Sequence, residues 1–175
     1  AIVGAGPIGL FVLQACKAAG AGHVYVIEPM KARMEKAAKT GANAVFDPPA
    51  VDAGKEIGSL TDDLRADIPF DCLGNQSSFD TAVKVTGRRA KICVVGLALK
   101  PISVPFIRLW GHEKELTFSS GYQDEFPAAI AYLEDGRVKV DTLISAHIGV
   151  EDLVEKGIQH LIEHPDQHVK LLVCP

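Results

Sequence analysis

Residues 1–28 read AIVGAGPIGLFVLQACKAAGAGHVYVIE, and this stretch decides the fold. A short apolar run leads into the pattern G-x-G-x-x-G between Gly4 and Gly9, and helical spacing follows over Pro7–Ala19. A β-branched run, His23–Ile27, then ends at Glu28. Strand, glycine loop, helix, strand and acid in this order predict a βαβ unit that binds a dinucleotide.

Each glycine of the loop meets a separate geometric demand. Gly4 permits a tight turn out of the strand, Gly6 lets the backbone approach a pyrophosphate, and Gly9 lets the helix pack closely on the strand. Pro7 suits the first turn of a helix, because an N–H group there would have no intrahelical partner. The start of the helix, where Ile8 lies, offers unpaired N–H groups to phosphates. Alone, the motif also fits an ordinary glycine turn, but its position between two strands favours a dinucleotide.

Glu28 stands 19 residues after Gly9, close to the spacing of about 20 residues expected for a carboxylate that binds a ribose 2′-hydroxyl. We therefore expect NAD, because this carboxylate would repel the 2′-phosphate of NADP. Two interpretations stay open: Glu28 could cap the next helix, and Lys31 and Arg33 could either offset that repulsion or belong to a solvated helix face. FAD is the rival cofactor, but Leu13 stands where flavoproteins usually carry a small residue.

The remainder of the chain alternates β-branched runs with stretches of helical spacing. This alternation predicts an α/β fold, a Rossmann-type doubly wound parallel sheet of order 3-2-1-4-5-6 with helices on both faces. The tail is predicted as a helix, Glu151–Glu163, followed by a strand, Val169–Cys174. We predict a nucleotide-binding domain over residues 1–142 and a C-terminal segment over residues 143–175 that belongs to another domain.

Composition excludes several classes of protein. Of 175 residues, 47% are hydrophobic and 23% are charged, which is ordinary for a globular chain. A net charge of -4 argues against nucleic-acid binding, and no apolar run approaches the ~20 residues that span a bilayer. The dispersed cysteines fit neither a zinc cluster nor a disulfide framework, and they indicate a reducing compartment such as the cytoplasm. They are Cys16, Cys72, Cys93 and Cys174.

Several stretches, taken in order, resemble the cofactor domain of medium-chain, zinc-dependent alcohol and polyol dehydrogenases. The last 25 residues, 151–175, resemble the C-terminus of that family. YQDEF and the closing HVKLLVCP are most similar to 2,3-butanediol dehydrogenases, with sorbitol and threonine dehydrogenases next. The other matching stretches are GAGPIGL at 4–10, VIEP at 26–29, TGANAVFDP at 40–48, FDCLGN at 70–75, RRAKICVVGL at 88–97 and ELTFSSGY at 115–122.

The resemblance implies hydride transfer between a secondary alcohol or diol and NAD, with zinc as the Lewis acid. It also implies which residues bind the cofactor, although the two serines among them could equally be turn formers. The implied residues are Gly4, Gly6, Pro7, Ile8, Gly9, Glu28, Arg33, Gly74, Gly96, Leu97, Ser119 and Ser120.

In that family the zinc ligands precede the glycine loop, so we expect neither a catalytic residue nor a metal ligand in this chain. Because the chain lacks an initial Met and Ala1–Val3 is a short strand, we expect a fragment of a larger protein that is inactive alone. His160, His164 and His168 are spaced for one helix face, but Pro165 intervenes, and we interpret them as exposed polar residues. The alternatives are a stand-alone, non-catalytic dinucleotide sensor module and a zinc-free quinone-reductase-like enzyme.

Ile102–Val104 lies between two prolines and predicts a short edge strand. We expect this strand, including the N–H group of Ser103, to pair with its symmetry mate in a two-fold dimer. The family resemblance points to the same interface, within a homodimer or a tetramer. The alternative is that Phe106 and Trp110 pack onto their own sheet.

Overall fold

The computed structural model describes residues 1–141, 143–164 and 168–175. Its main sheet contains six strands, all paired in parallel, in the order β3-β2-β1-β4-β5-β6. This order confirms the predicted doubly wound sheet, in which the order of the strands reverses between β1 and β4. The strands are β1 (Ile2–Val3), β2 (Tyr25–Ile27), β3 (Ala44–Phe46), β4 (Phe70–Asp71), β5 (Lys91–Val94) and β6 (Glu115–Phe118).

Helices follow the strands, and local capping signals explain where two of them begin. The Asp52 carboxylate accepts the first amides of α3, and Asn75 forms a reciprocal capping box with Ser78 at the start of α4. No helix within the described residues is long and apolar enough to cross a bilayer. The helices are α1 (Pro7–Ala18), α2 (Lys31–Lys39), α3 (Ala53–Leu60), α4 (Gln76–Lys84), α5 (Phe106–Trp110), α6 (Phe126–Glu134) and α7 (His160–Glu163).

The hydrophobic core has two parts, one on each face of the main sheet. Ile57 and Phe79 from α3 and α4 pack on the face that Val3 presents. Leu10 and Leu13 from α1 pack on the opposite face, with Ile2 and Val26. Neighbouring strand residues point to opposite faces, so a sheet that is covered on both sides needs apolar residues at nearly every position.

The segment after β5 differs from its prediction. Ile102–Val104 forms no strand, because the Ser103 N–H donates to Oε1 of Gln76 at 2.7 Å and the Ser103 carbonyl accepts from the same amide at 3.1 Å. The backbone N–H and carbonyl groups of Ser103 are therefore not available to pair with another strand. Phe106 and Trp110 lie in α5 and are 73% and 70% exposed, so the alternative in which they pack on their own sheet is wrong.

The tail contains a strand that the sequence analysis missed, β7 (Ile144–Gly149), which pairs in parallel with β8 (Lys170–Cys174). The predicted helix between them consists of three pieces: a 3-10 turn over Val150–Asp152, a π-helical stretch over Leu153–Gln159, and α7. Residues 165–167 lie outside the described part of the chain. Leu143 and Val169 join the core that covers α1, whereas most apolar residues of the helical stretch are exposed.

Candidate functional site

The candidate site is the crevice at the carboxyl ends of β1, β2, β4 and β5. In open α/β sheets, ligands bind outside the carboxyl ends of the strands, where the strand order reverses. Here the reversal lies between β1 and β4, since β1 pairs with β2 on one side and with β4 on the other. The glycine loop starts at this point, directly after β1.

The backbone of the loop has the geometry that its glycines predict. Gly4 has a φ of +96°, a left-handed conformation that favours glycine, and its N–H donates to the carbonyl of Ile27 at 2.8 Å. A methyl group on Gly9 would overlap the carbonyl oxygen of Gly4. The close approach of α1 to β1 therefore depends on glycine at this position.

Gly6 occupies an open position at the start of α1. It is the N-cap residue, and no side chain caps the helix. Among the described residues, a methyl group on Gly6 would have one neighbour within 4 Å, Nη1 of Arg33 at 4.0 Å. The first turn contains Pro7 and no acidic residue, so its free backbone N–H groups face a space that can admit an anion.

Glu28 is 3% exposed and joins the glycine loop to the start of α2. Its Oε2 accepts from the N–H of Ala5 at 2.8 Å, and its Oε1 accepts from the N–H of Met30 at 2.9 Å. Met30 is the N-cap residue of α2, so Glu28 does contribute to the start of that helix, as one of the open interpretations held. The bond to Ala5 was not foreseen, and it holds the loop in place across β1 and β2.

The other half of the crevice is formed by the turns after β4 and β5. Gly74 has a φ of +72°, and a methyl group on it would lie 2.6 Å from the carbonyl carbon and oxygen of Gly96. The two turns are thus in backbone contact. The side chain of Leu73 covers Gly4, so the turn after β4 also contacts the glycine loop.

An apolar cavity of about 720 Å³ opens beside these turns at the carboxyl ends of β5 and β6. The structure brings together five of the predicted residues in its wall, and its apolar lining includes Phe79, Leu116 and Tyr122. Ser119 is held by a bond from its N–H to the carbonyl of Val94 at 3.0 Å. The predicted residues in the wall are Ile8, Gly96, Leu97, Ser119 and Ser120.

Asp71, at the end of β4, is a site residue that the sequence analysis missed. Its Oδ1 accepts from the N–H groups of Leu73 and Gly74, at 3.0 and 3.1 Å. An Asp followed by Gly three positions later is a turn signal, and D-C-L-G could have drawn attention to it. The neighbouring thiol, Cys72, is not a nucleophile, because burial raises its pKa to about 12.

The three tail histidines are half-buried and lie together, so their interpretation as exposed residues is wrong. Nε2 of His160 lies 2.8 Å from Nε2 of His168, and the ring centroids of His160 and His164 are 4.7 Å apart. Across residues 1–141, 143–164 and 168–175, no group of three or more His, Cys, Asp or Glu side chains is arranged to hold a metal ion.

Comparison with known proteins gives the family of the chain. Residues 7–135 match the family model described as zinc-binding dehydrogenase. The chain is 30% identical over 173 residues to (R,R)-butanediol dehydrogenase of Neisseria gonorrhoeae, and the alignment covers 98% of this chain and 49% of that protein. It is 29% identical over 178 residues to sorbitol dehydrogenase of Bacillus subtilis, and the alignment covers 100% of this chain and 50% of that protein.

Among solved structures, the crystal structure of 2R,3R-butanediol dehydrogenase from Bacillus subtilis superposes with a TM-score of 0.92 and 31% identity. The match covers 99% of this chain and 50% of that one, so the chain spans about half the length of the curated relatives it matches. The family model, the relatives and the fold agree with the resemblance seen in the sequence. This chain belongs to the zinc-binding dehydrogenase family.

Proposed function

We propose that this chain is the NAD(H)-binding domain of a zinc-dependent alcohol or diol dehydrogenase, which transfers hydride between a secondary alcohol and NAD. The observation that carries the proposal is the hydrogen bond between the glycine loop and the buried carboxylate of Glu28. The Ala5 N–H donates to the Glu28 carboxylate at 2.8 Å, next to an open Gly6 and an uncapped helix. This combination suits a pyrophosphate beside a ribose.

The residues present fit a dinucleotide. The free N–H groups of the first turn of α1 would bind the pyrophosphate across Gly6, and the Arg33 guanidinium, within 4.0 Å of the Cβ position of Gly6, adds positive charge there. A carboxylate has about four lone-pair sites, and backbone amides occupy two of those on Glu28. The others can accept hydrogen bonds from ribose hydroxyls, which a 2′-phosphate cannot donate.

The apolar cavity suits the nicotinamide end of the same cofactor. NAD, when bound, supplies the ring that accepts the hydride. Gly96 and Leu97 would border one side of the ring, and the backbone of Ser119 and Ser120 would approach its carboxamide. The apolar wall would exclude water from the reacting face, which strengthens electrostatic interactions within the site.

We further propose that the zinc ligands and most substrate contacts belong to a catalytic domain, of which residues 143–175 form a part. Val150, Val154, Ile158 and Ile162 are each more than half exposed, which leaves an apolar face for that domain to cover. Four free cysteines are consistent with a reducing compartment such as the cytoplasm.

A two-fold dimer, alone or within a tetramer, remains part of this proposal. Phe106, Ile107 and Trp110 are each at least 70% exposed beside the β6 edge, more apolar surface than an isolated edge usually presents. Because Gln76 occupies the polar backbone atoms of Ser103, the interface would rest on side chains more than on a strand ladder.

Calorimetric titration of the whole polypeptide that carries this chain, with NADH and with NADPH, tests the cofactor assignment. We expect tighter binding of NADH. Glu28→Gln removes the negative charge and should lower the ratio of the two affinities, whereas Glu35→Gln on the exposed side of α2 is a matched control that should not change it. Tighter binding of NADPH by the unaltered protein would contradict the assignment.

Turnover separates the enzyme from a sensor module. With 2,3-butanediol and NAD, the whole polypeptide should produce NADH, and chelation of zinc should abolish that activity. A protein that binds NADH without oxidising any secondary alcohol would favour the non-catalytic module instead.

A further inference from the structure

Asp71 lies fully buried at the point where the two halves of the crevice meet. It is the last residue of β4, and the strand register places it beside Val3 of β1 and Val94 of β5. Residues in one row of a parallel sheet point to the same face, so its carboxylate lies in an apolar row. Such a position ordinarily suits a valine.

Four backbone N–H groups converge on this single residue. Its side-chain Oδ1 accepts from Leu73 and Gly74, at 3.0 and 3.1 Å. Its main-chain carbonyl accepts from Val95 and Gly96, at 2.8 and 2.9 Å. Asp71 therefore bonds both to the turn after β4, through its side chain, and to the turn after β5, through its backbone.

These two turns leave little room for independent movement. A Cβ atom added to Gly4 would lie 2.9 Å from Cγ of Leu73, and one added to Gly74 would lie 2.6 Å from the carbonyl group of Gly96. A displacement of the turn after β4 would thus be passed both to the glycine loop and to the wall of the apolar cavity. The hydrogen bonds from Leu73 and Gly74 to Oδ1 of Asp71 oppose that displacement.

The other carboxylate oxygen of Asp71 differs from Oδ1. Oδ2 is buried, and no described residue donates a hydrogen bond to it. A buried polar atom without a partner carries a desolvation cost, whereas removing Asp71 would leave the N–H groups of Leu73 and Gly74 without their acceptor. A buried polar residue that carries such a cost is expected where function requires it.

We propose that Asp71 is a positioning residue for the cofactor, which acts by holding the Leu73–Gly74 turn against the glycine loop and Gly96. This inference rests on the proposed binding of NAD(H) in the crevice. It assigns to Asp71 no contact with the substrate or with the reacting atoms.

Two variants separate the positioning role from the charge and from folding. Asp71→Asn keeps an oxygen that can accept from Leu73 and Gly74, whereas Asp71→Val removes the acceptor and matches the apolar row of Val3 and Val94. Asp52→Ala is the control, because the Asp52 Oδ1 also accepts two backbone amides, Gly54 and Lys55, at the start of α3 and away from the crevice.

In the whole polypeptide, we would measure the melting temperature and the dissociation constant for NADH by calorimetry. Asp71→Val should bind NADH about tenfold more weakly, a loss of about 1.4 kcal/mol, while its melting temperature stays above the temperature of the titration. Asp71→Asn should bind within about threefold of the unaltered protein, which corresponds to under about 0.7 kcal/mol. Asp52→Ala should lower the melting temperature without changing NADH binding.

The outcomes are distinguishable. If Asp71→Val binds NADH as tightly as the unaltered protein, or if Asp71→Asn loses as much affinity as Asp71→Val, the positioning role is overturned. If the unaltered protein itself does not bind NADH, the proposed function fails first. In turnover, Asp71→Val should raise the KM for NAD more than Asp71→Asn does, a difference that a purely structural role would not produce.

Discussion

Replacing Gly6 with Ala should leave the fold intact and yet weaken cofactor binding. Gly6 has φ −70° and ψ −172°, a conformation open to any L-residue. The nearest neighbour of the added methyl group would be Nη1 of Arg33 at 4.0 Å, which is ordinary van der Waals distance. The free protein therefore has space for alanine at this position.

The opposing effects on the stability of the free protein nearly cancel. Alanine is a poorer N-cap than glycine, which costs roughly 0.5–1 kcal/mol. It also restricts the unfolded chain, which contributes about 0.4–1 kcal/mol of stability. In the complex, the methyl group would occupy the space that the pyrophosphate requires, and overpacking of this kind costs about 1–3 kcal/mol. The dissociation constant for NADH should rise about 5- to 150-fold.

Two other glycines give the comparison that this prediction needs. Gly9→Ala places a methyl group on the backbone oxygen of Gly4, so it should lower the stability of the free protein as well as its affinity. The methyl group of Gly22→Ala meets no described residue within 4 Å, so this variant should change neither stability nor affinity. Thermal unfolding and NADH titration of all three variants form the assay. If Gly6→Ala binds NADH normally, the backbone of Gly6 does not approach the pyrophosphate.

Three further predictions concern the tail and the sheet edge. Burial, together with neighbouring imidazoles and a lysine, lowers the pKa of His168. Its contribution to stability is therefore full above about pH 6.5 and falls as the pH drops below that value. With His168→Gln, the melting temperature should fall less between about pH 7.5 and 5.5 than it does in the unaltered protein. Val104→Lys places a charge in the proposed interface, so it should halve the mass of the dimer measured by sedimentation. Leu64→Lys changes another exposed surface and should leave the mass unchanged. An unchanged mass for both variants contradicts the interface. Amides of Leu153–Gln159 should exchange hydrogen faster than those of Lys91–Val94, and equal protection would argue against a domain boundary near residue 142.

The order of the sheet, in which Ile2 lies beside Phe70, was predicted from the general rule for alternating strands and helices. The buried strands and the glycine-loop half of the candidate site could be predicted because their signals are local. Gly4, Gly9 and Glu28 lie within one βαβ unit, and each meets a demand set by residues in the same unit. Continuous apolar runs such as the one in β5 predict strands that are buried on both faces. Neither conclusion needs knowledge of which distant residues come together.

The parts that were mispredicted depend on distant partners. The residues around Ser103 have the spacing of an edge strand, but Gln76, 27 residues earlier, takes their hydrogen bonds. β7 mixes Ser145 and His147 with apolar residues, and its partner β8 follows only after a helical stretch. No local pattern reveals such pairings, because the deciding contact is made by a side chain or a strand elsewhere in the chain.

The two buried acids of the described residues, Glu28 and Asp71, hydrogen-bond the backbone of the segments that form the crevice. Glu28 directly follows β2 and Asp71 ends β4, and these strands lie on either side of β1. Each acid accepts two backbone amides from the segments that follow the strands of the crevice. A site that binds through backbone N–H groups cannot adjust them by changing rotamers, so its geometry depends on what holds the turns. Because these acids hydrogen-bond the turns in the free chain, the proposed function implies that less ordering remains for NAD(H) to impose and that more of its contact energy appears as affinity.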